Sequence, residues 1–313
     1  MKRRAAALPV PPHKRMLVPG FAPSLTSAGA VLRLFWTHFC CVPYYKLCTN
    51  VLREVASYLP EDRLIPGVYK NKMLIYNAAT GLKMAASRPP SIAPYSTFCV
   101  LDRTFAVTFQ GVPPLTSIVR LDMIRQTTSS FPCTQVSRQR PGLVCHQGVL
   151  YAFGGKDNGK NLKSCEKIAL GDSVWTQLPD MHRRSQLGSP CQTGSVIYLP
   201  ARCSLVMEAF NTLTEAFTLL PMSPYHHNIT PPAFIASGDM HILVESSVVQ
   251  RWKVAAESTT PAYIQTMTLR RLRPNCSCEV VVMGREALWL SSTQGVLVRF
   301  RLDVGTIRVE GMN

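Results

Sequence analysis

Acidic residues are scarce in this 313-residue chain. It holds 18 Asp and Glu against 34 Lys and Arg, and none of the acids precedes Glu54. The formal net charge is +16, a balance that favours acidic partners: nucleic acid, anionic lipid or acidic protein segments. Long apolar runs are missing too. Val31 to Tyr45 is apolar and aromatic but short, and Arg33 and His38 interrupt it. A bilayer span needs about 20 apolar residues, so no membrane span is expected. There is no C-x-x-C pair. Cys40-Cys41 and Cys276-Ser277-Cys278 lack histidines at zinc-ligand spacing, so no metal site is expected. The 11 cysteines form an odd set without framework spacing, and no clean signal peptide precedes them. The expectation is an intracellular, cytoplasmic protein whose cysteines are mostly small buried hydrophobes. No G-x-S-x-G elbow is present. The adjacent pairs Cys145-His146 and His226-His227 would point to opposite faces of a strand. No catalytic group and no cofactor is therefore assigned.

What is present is enough apolar material for a real core. Hydrophobic residues make up 46% of the chain and the mean hydropathy is +0.07, values of neither a disordered nor a polytopic protein. The N-terminal part differs from the rest. Lys2, Arg3, Arg4, Lys14 and Arg15 make it basic, and Pro9, Pro11, Pro12, Pro19 and Pro23 forbid a continuous helix. Residues 1–30 read as a disordered basic arm. Its acid-free composition also fits an organelle transit peptide, though the prolines spoil the amphipathic helix such peptides form. Residues 31–65 read as helical. Asn50 can cap a helix whose face is Val51, Leu52, Val55 and Leu59, with Pro60 ending it.

From about residue 66 the pattern is β. Short runs of Val, Ile, Tyr and Phe alternate with Gly, Pro, Ser and Asn turns, and the chain repeats itself. One unit is an apolar strand with anchors at Phe105, Tyr151, Tyr198, Ile242 and Trp289, at steps of 46, 47, 44 and 47 residues. A second unit trails it, anchored at Tyr76, Leu121, Ile168, Phe210, Trp252 and Phe300, at steps of 45, 47, 42, 42 and 48. Seven positions after three of these anchors stand Trp175, Phe217 and Ile307. A sandwich has no reason to keep such a period, whereas a propeller does. Each unit makes a blade that is apolar on both faces, and a ring of blades buries them.

The residues around Gly154-Gly155 carry a family resemblance. "LYAF" before the diglycine, then Glu166 to Leu170, Trp175 and "LPDMHRR" resemble a kelch repeat. Elsewhere the diglycine is replaced, for example by Gln110-Gly111 and Leu199-Pro200, while Met207 to Met222 restores the second half of the pattern. The resemblance implies an all-β fold: a kelch-type β-propeller of five or six four-stranded blades over residues 66–313. The first copy, near Tyr76, lacks its inner strands. Either the closing blade is shared between the two chain ends or sequence is missing at the start.

The stretch "GGKDNGKN" also imitates a phosphate loop, with Gly154, Gly159 and Lys160 at the right spacing. Asn161 cannot give the hydroxyl that such a loop offers to magnesium, and the next residues, "LKSCEKIAL", are β-prone rather than helical. The glycine pair instead ends a strand where backbones pass closely.

Loops on one rim of a propeller carry function. The connections between blades hold Arg138 and Arg140, then His182, Arg183 and Arg184, then Tyr225, His226 and His227, then Arg270, Arg271 and Arg273, with Arg88 before them. The loop from the second to the third strand opens on the same rim and brings Lys156 and Lys160. This rim is expected to bind an acidic protein segment, since arginine pairs carboxylates bidentately. The kelch resemblance implies a non-catalytic protein-recognition module. A narrower version makes it the substrate-recognition module of a cullin-type ubiquitin ligase. For that, Asn50 to Leu64 resembles the end of an F-box or of the helical linker in BTB-kelch proteins, though sixty residues cannot hold a BTB plus linker. Two other readings are nucleic-acid binding by the arm and a propeller enzyme of oxidase or sugar-isomerase type. The arm has no interleaved aromatics, so nucleic acid is not the expected partner.

Overall fold

The computed structural model describes residues 64–311, apart from segments at 94–95, 103–104, 110–117, 185–186, 188, 202–205, 222–232, 237–238, 246–247, 254–261, 269–279, 284, 292–295 and 303–305. The chain divides into two units after Leu59, and every described residue lies in the second. The expected arm and helical segment lie outside the described residues, except for Leu64 and Ile65. These two open a strand rather than end a helical segment.

The described residues form six sheets around a ring, with no helix among them. The first blade is β1 (Leu64–Tyr69), β2 (Lys72–Asn77) and β3 (Lys83–Ser87). The second is β4 (Thr97–Val100), β5 (Phe105–Phe109), β6 (Ile118–Asp122) and β7 (Thr127–Phe131). The third is β8 (Gly142–His146), β9 (Val149–Phe153), β12 (Cys165–Ala169) and β13 (Thr176–Leu178), with a small hairpin, β10 (Lys156–Asp157) and β11 (Lys160–Asn161), inserted between β9 and β12. The fourth is β14 (Cys191–Thr193), β15 (Val196–Leu199), β16 (Val206–Asn211) and β17 (Ala216–Pro221). The fifth is β18 (Ala233–Ala236), β19 (Asp239–Glu245), β20 (Val248–Lys253) and β21 (Ala262–Thr268). The sixth is β22 (Val281–Met283), β23 (Glu286–Ser291), β24 (Val296–Arg301) and β25 (Thr306–Gly311). Neighbouring strands within each blade pair antiparallel in up-and-down order.

The anchors of the first unit fall on second strands, and those of the second unit on third strands. Their apolar runs are continuous because successive residues point to opposite faces and both faces are buried. In β15, Ile197 and Leu199 pack against the third blade, while Val196 and Tyr198 pack against the fifth. In β9, Leu150 and Ala152 face the second blade and Tyr151 and Phe153 face the fourth. The seven-residue spacing is a hairpin distance. Phe210 pairs with Phe217 across β16–β17, their ring centroids 4.8 Å apart, and Phe300 pairs with Ile307 across β24–β25.

The turns between third and fourth strands repeat a cap. Asn77 Oδ1 accepts from Ala79 N and Thr80 N, each at 3.0 Å. Asp122 Oδ1 accepts from Ile124 N and Arg125 N at 3.0 and 2.9 Å, and Asn211 Oδ1 from Leu213 N and Thr214 N at 2.9 and 3.2 Å. Each cap directly follows its anchor. The short side chain imitates a backbone turn and sets the hairpin register. Asn77 thereby identifies β2 as a third strand, so the first blade holds second, third and fourth strands. It lacks only the innermost strand among the described residues, and not the inner strands generally.

No described sheet mixes strands from the two ends of the chain, so a shared closing blade is not seen among the described residues. The ring closes by packing. Ile65, Leu74 and Tyr76 of the first blade share one cluster with Leu121 of the second and with Leu288, Leu290 and Leu297 of the sixth. Polar ties finish the seam on its outer side. Lys83 Nζ donates to Gly311 O at 2.8 Å and sits 3.4 Å from Glu310 Oε2. Arg299 bonds the Tyr76 hydroxyl and ion-pairs with Glu286 and Glu310. Those ties are partly exposed and contribute little beside the apolar seam. Truncating Leu297, fully buried there, to alanine is expected to cost about 2–5 kcal/mol. A lowered urea midpoint with an unchanged slope checks this.

Candidate functional site

Strands alternate in direction, so two kinds of connection share each end of the ring. One end, here the upper, carries the connections between blades and those from second to third strands. The lower end carries the remaining hairpin turns. Most of the cations singled out in the sequence lie in upper-end connections.

On the third blade these connections are tied together by main-chain bonds. Gln139 N donates to Lys156 O at 2.7 Å, and Lys156 N to Gln139 O at 2.9 Å. The chain entering β8 is thus laced to the β10–β11 hairpin, which sets Arg140 beside Lys156. Between β10 and β11 the chain turns through Asn158 and Gly159, at φ 47° and 79°, the two left-handed positions of a type I′ hairpin turn. The segment that imitates a phosphate loop is therefore a β-hairpin with no helix behind it. Gly155 is required by its surroundings. Its φ is 93°, and a Cβ there would lie 2.8 Å from Gln139 O. The diglycine lets the hairpin meet the incoming connection.

Arg138 corrects the expected rim. It is 1% exposed and belongs to the core, not to a binding face. Its guanidinium meets Glu166 Oε1 from Nε and Nη2 at 3.1 and 2.8 Å, Gly154 O and Ser164 O from Nη1 at 2.8 and 2.6 Å, and Ser164 Oγ from Nη2 at 3.0 Å. Glu166, equally buried, also accepts from Gln135 N at 2.7 Å and Val136 N at 3.2 Å. Every donor direction of the cation is used, which is the condition under which a buried pair is tolerated. The next blade repeats the device. Glu208, on the third strand two residues before its anchor as Glu166 is, accepts from His182 N and Arg183 N, both at 2.9 Å, and its Oε2 is 3.3 Å from His182 Nδ1. A third-strand glutamate thus fastens each of two interblade connections. Sequence reasoning missed both glutamates. Their signal was an acid among apolar residues in a chain poor in acids.

His182, Arg183 and Arg184 are exposed, as are Arg140 and Lys160, while Lys156 is half-buried. Met181 N donates to Lys163 O at 3.0 Å, which brings the connection carrying Arg183 beside the one leading from the hairpin. Lys163, not singled out in the sequence, joins the face. The same connections carry two acids that are not buried, Asp157 and Asp180, against the cations Arg140, Lys156, Lys160, Lys163, Arg183 and Arg184. Arg88 is occupied, with Nη1 on Ile92 O in its own loop and Nη2 on Asn71 Oδ1 of the β1–β2 turn at 3.2 Å. Tyr225, His226, His227, Arg270, Arg271 and Arg273 lie outside the described residues.

Burial pushes the Cys165 thiol up to about 12, against weaker opposing effects of the Gly154 main chain and Arg138. Among the described residues no group of three His, Cys, Asp or Glu is placed to hold a metal ion, and no helix is long and apolar enough to cross a membrane.

In comparison with known proteins, residues 137–182, the third blade with its incoming connection, match the kelch motif. No curated protein matches the chain.

Arg138→Ala is expected to destabilise by about 3–5 kcal/mol, because it strands Glu166 in the core, whereas Lys160→Glu stays within about 0.5 kcal/mol; urea unfolding of both separates a structural cation from a surface one. Cys165 also makes stability depend on pH. The unfolded thiol ionises near its ordinary value, about 8.5, while the folded one holds its proton to about 12. The unfolded state therefore binds fewer protons, and stability falls as pH rises through that window. The fall in unfolding free energy between pH 8 and pH 10 is expected to shrink in Cys165→Ala.

Proposed function

We propose that this kelch-repeat propeller is a non-catalytic interaction scaffold whose upper end binds an acidic segment of a protein partner. Propellers of this kind are commonly protein-interaction scaffolds. The observation that carries the finer reading is the cation face of the third blade. It gathers three connections, held by main-chain bonds and buried glutamates, and leaves Arg183, Arg184 and Lys160 exposed with few acids near them. Cations carried on a main chain already held in place require less ordering on pairing carboxylates than cations on an unanchored loop do. A narrower reading makes the propeller the substrate-recognition module of a cullin-type ubiquitin ligase, resting on the kelch resemblance alone. Cys133, Cys165 and Cys191 are free thiols, which supports placing it in a reducing, cytoplasmic setting.

Affinity capture from cells with the full chain tests the proposal. The variant Arg183→Glu/Arg184→Glu is expected to lose most of the captured partners, and Lys156→Glu/Lys160→Glu a similar set. Capture should weaken steeply as salt rises, since exposed charges are screened within about 8–10 Å at physiological ionic strength. Unchanged capture by both variants would sink the assignment of this face.

A further inference from the structure

The two buried glutamates hold their connections in the same way, with one difference. Glu166 accepts from two successive amides, Gln135 N and Val136 N, and its charged partner is Arg138. Glu208 accepts from the successive amides His182 N and Arg183 N, and the side chain beside it is His182. Arginine keeps its charge at any working pH, while histidine is the side chain that changes charge near neutrality. Arg138 is sealed in the core, whereas the His182 side chain is 47% exposed. The third blade thus fastens its connection with a permanent ion pair. The fourth uses a titratable group that a partner can reach.

The contact with Glu208 fixes how the imidazole presents itself. An ionised carboxylate only accepts hydrogen bonds, so the nitrogen facing it must carry a hydrogen. That nitrogen is Nδ1, 3.3 Å from Glu208 Oε2. Nε2 is then the atom that responds to pH, an acceptor in the neutral ring and a donor in the charged one. It has no partner among the described residues.

We infer that His182 makes the basic face sensitive to pH: the ring takes up a proton when an acidic segment docks, and the partner binds more tightly as pH falls from 8 to 6. The inference rests on the basic-face reading above and adds its regulation. A carboxylate laid on Arg183 and Arg184 meets a neutral neighbouring ring lone pair against lone pair. It meets the charged ring through Nε2–H, in a charge-assisted bond. Binding that favours the protonated ring must raise the ring's affinity for the proton by the same factor. The partner's own glutamates ordinarily titrate near 4.3 and stay ionised in this window, so acidification strengthens the contact. Other charges surround the ring. β16 brings Glu208, and the stretch before β12 brings Lys163, laced in by Met181 N on Lys163 O at 3.0 Å. The connection itself carries Asp180, Arg183 and Arg184. Lysine, arginine and carboxylates ordinarily keep their charge between pH 6 and pH 8, which leaves the imidazole as the group that changes. Arg202, His226 and His227 lie outside the described residues.

A peptide of sequence Glu-Glu-Glu-Gly-Glu-Glu-Glu, with a pH-insensitive dye on its N-terminus, tests this against the full chain by fluorescence polarisation. Wild-type binding is expected to tighten about fivefold from pH 8 to pH 6, the scale of one exposed ion pair. His182→Asn keeps a donor for Glu208 and both amide bonds but has no charge to gain. It should bind at the wild-type pH 8 level at both pH values, and that retained binding shows it is folded. His182→Lys, charged throughout, should bind at the wild-type pH 6 level at both. Calorimetry at pH 7 in two buffers of different ionisation enthalpy should find net proton uptake with the wild type and none with His182→Asn. Wild-type binding that ignores pH overturns the linkage and leaves the basic face standing. A pH response that His182→Asn retains overturns the assignment to His182. Failure of the peptide to bind the wild type at either pH overturns both.

Discussion

The rest of the structure depends on burying the two apolar faces of every blade. A four-stranded blade with both faces wet cannot stand alone, and each interface between adjacent blades here is an unbroken apolar layer. The layer between the second and third blades sets Phe109 edge-on to Trp175 at 6.0 Å. Between the third and fourth it sets Phe153 against Phe210 at 5.4 Å, and between the fifth and sixth Phe234 against Phe300 at 6.1 Å. Burial of each such ring is worth roughly 1.5–3 kcal/mol, so the layers outweigh any polar contact in the ring. Closure is the same interaction once more, with the first blade packed between the second and the sixth.

That constraint explains why the polar groups sit where they do. Strand interiors are committed to packing, so buried charge survives only where it is fully bonded. Arg138 and Glu166 meet that condition by gathering main-chain groups from three segments, and Glu208 meets it with two amides and His182. Buried ion pairs are weak sources of stability. What these contribute is position. They lock the interblade connections against the third strands, and so fix where Arg140, Arg183 and Arg184 leave the surface.

Much of the fold was legible because the repeat is written in anchors. Second- and third-strand residues keep a step near 45, and in the fourth and sixth blades the apolar residue seven places after the third-strand anchor is its partner across a hairpin. Gly154-Gly155 was legible as a strand end because only glycine allows that approach to Gln139. Blade number was harder. Among the described residues the first blade starts at a second strand, and the segment before it carries apolar residues at spacings that read as helix. The site was legible in part. Cations can be read from a sequence, but their burial cannot: Arg138 and Arg140 stand two apart, and one is core while the other is surface. The difference lies in Glu166, 28 residues away. Lys163 went unnoticed because its place is set by a main-chain bond to Met181, which no side-chain pattern announces.

The two ends of the ring have unequal freedom, and this is the strongest reason to look for function at the upper one. Several described lower-end turns are specified by their own residues. Asn77, Asp122 and Asn211 cap three of them, and Gln147-Gly148 makes another in two residues at φ 49° and 75°. A residue changed there shifts a strand register, and a one-place slip would turn a blade's buried faces over. Upper-end connections such as 132–141 and 179–190 set no hairpin register. Each is anchored by a buried glutamate and by a few buried residues of its own, Thr134 and Arg138 in one and Met181 and Leu187 in the other, while Arg140, Arg183 and Arg184 stay exposed. A fold that holds a loop by its main chain leaves exposed side chains such as Arg183 and Arg184 placed to meet something else.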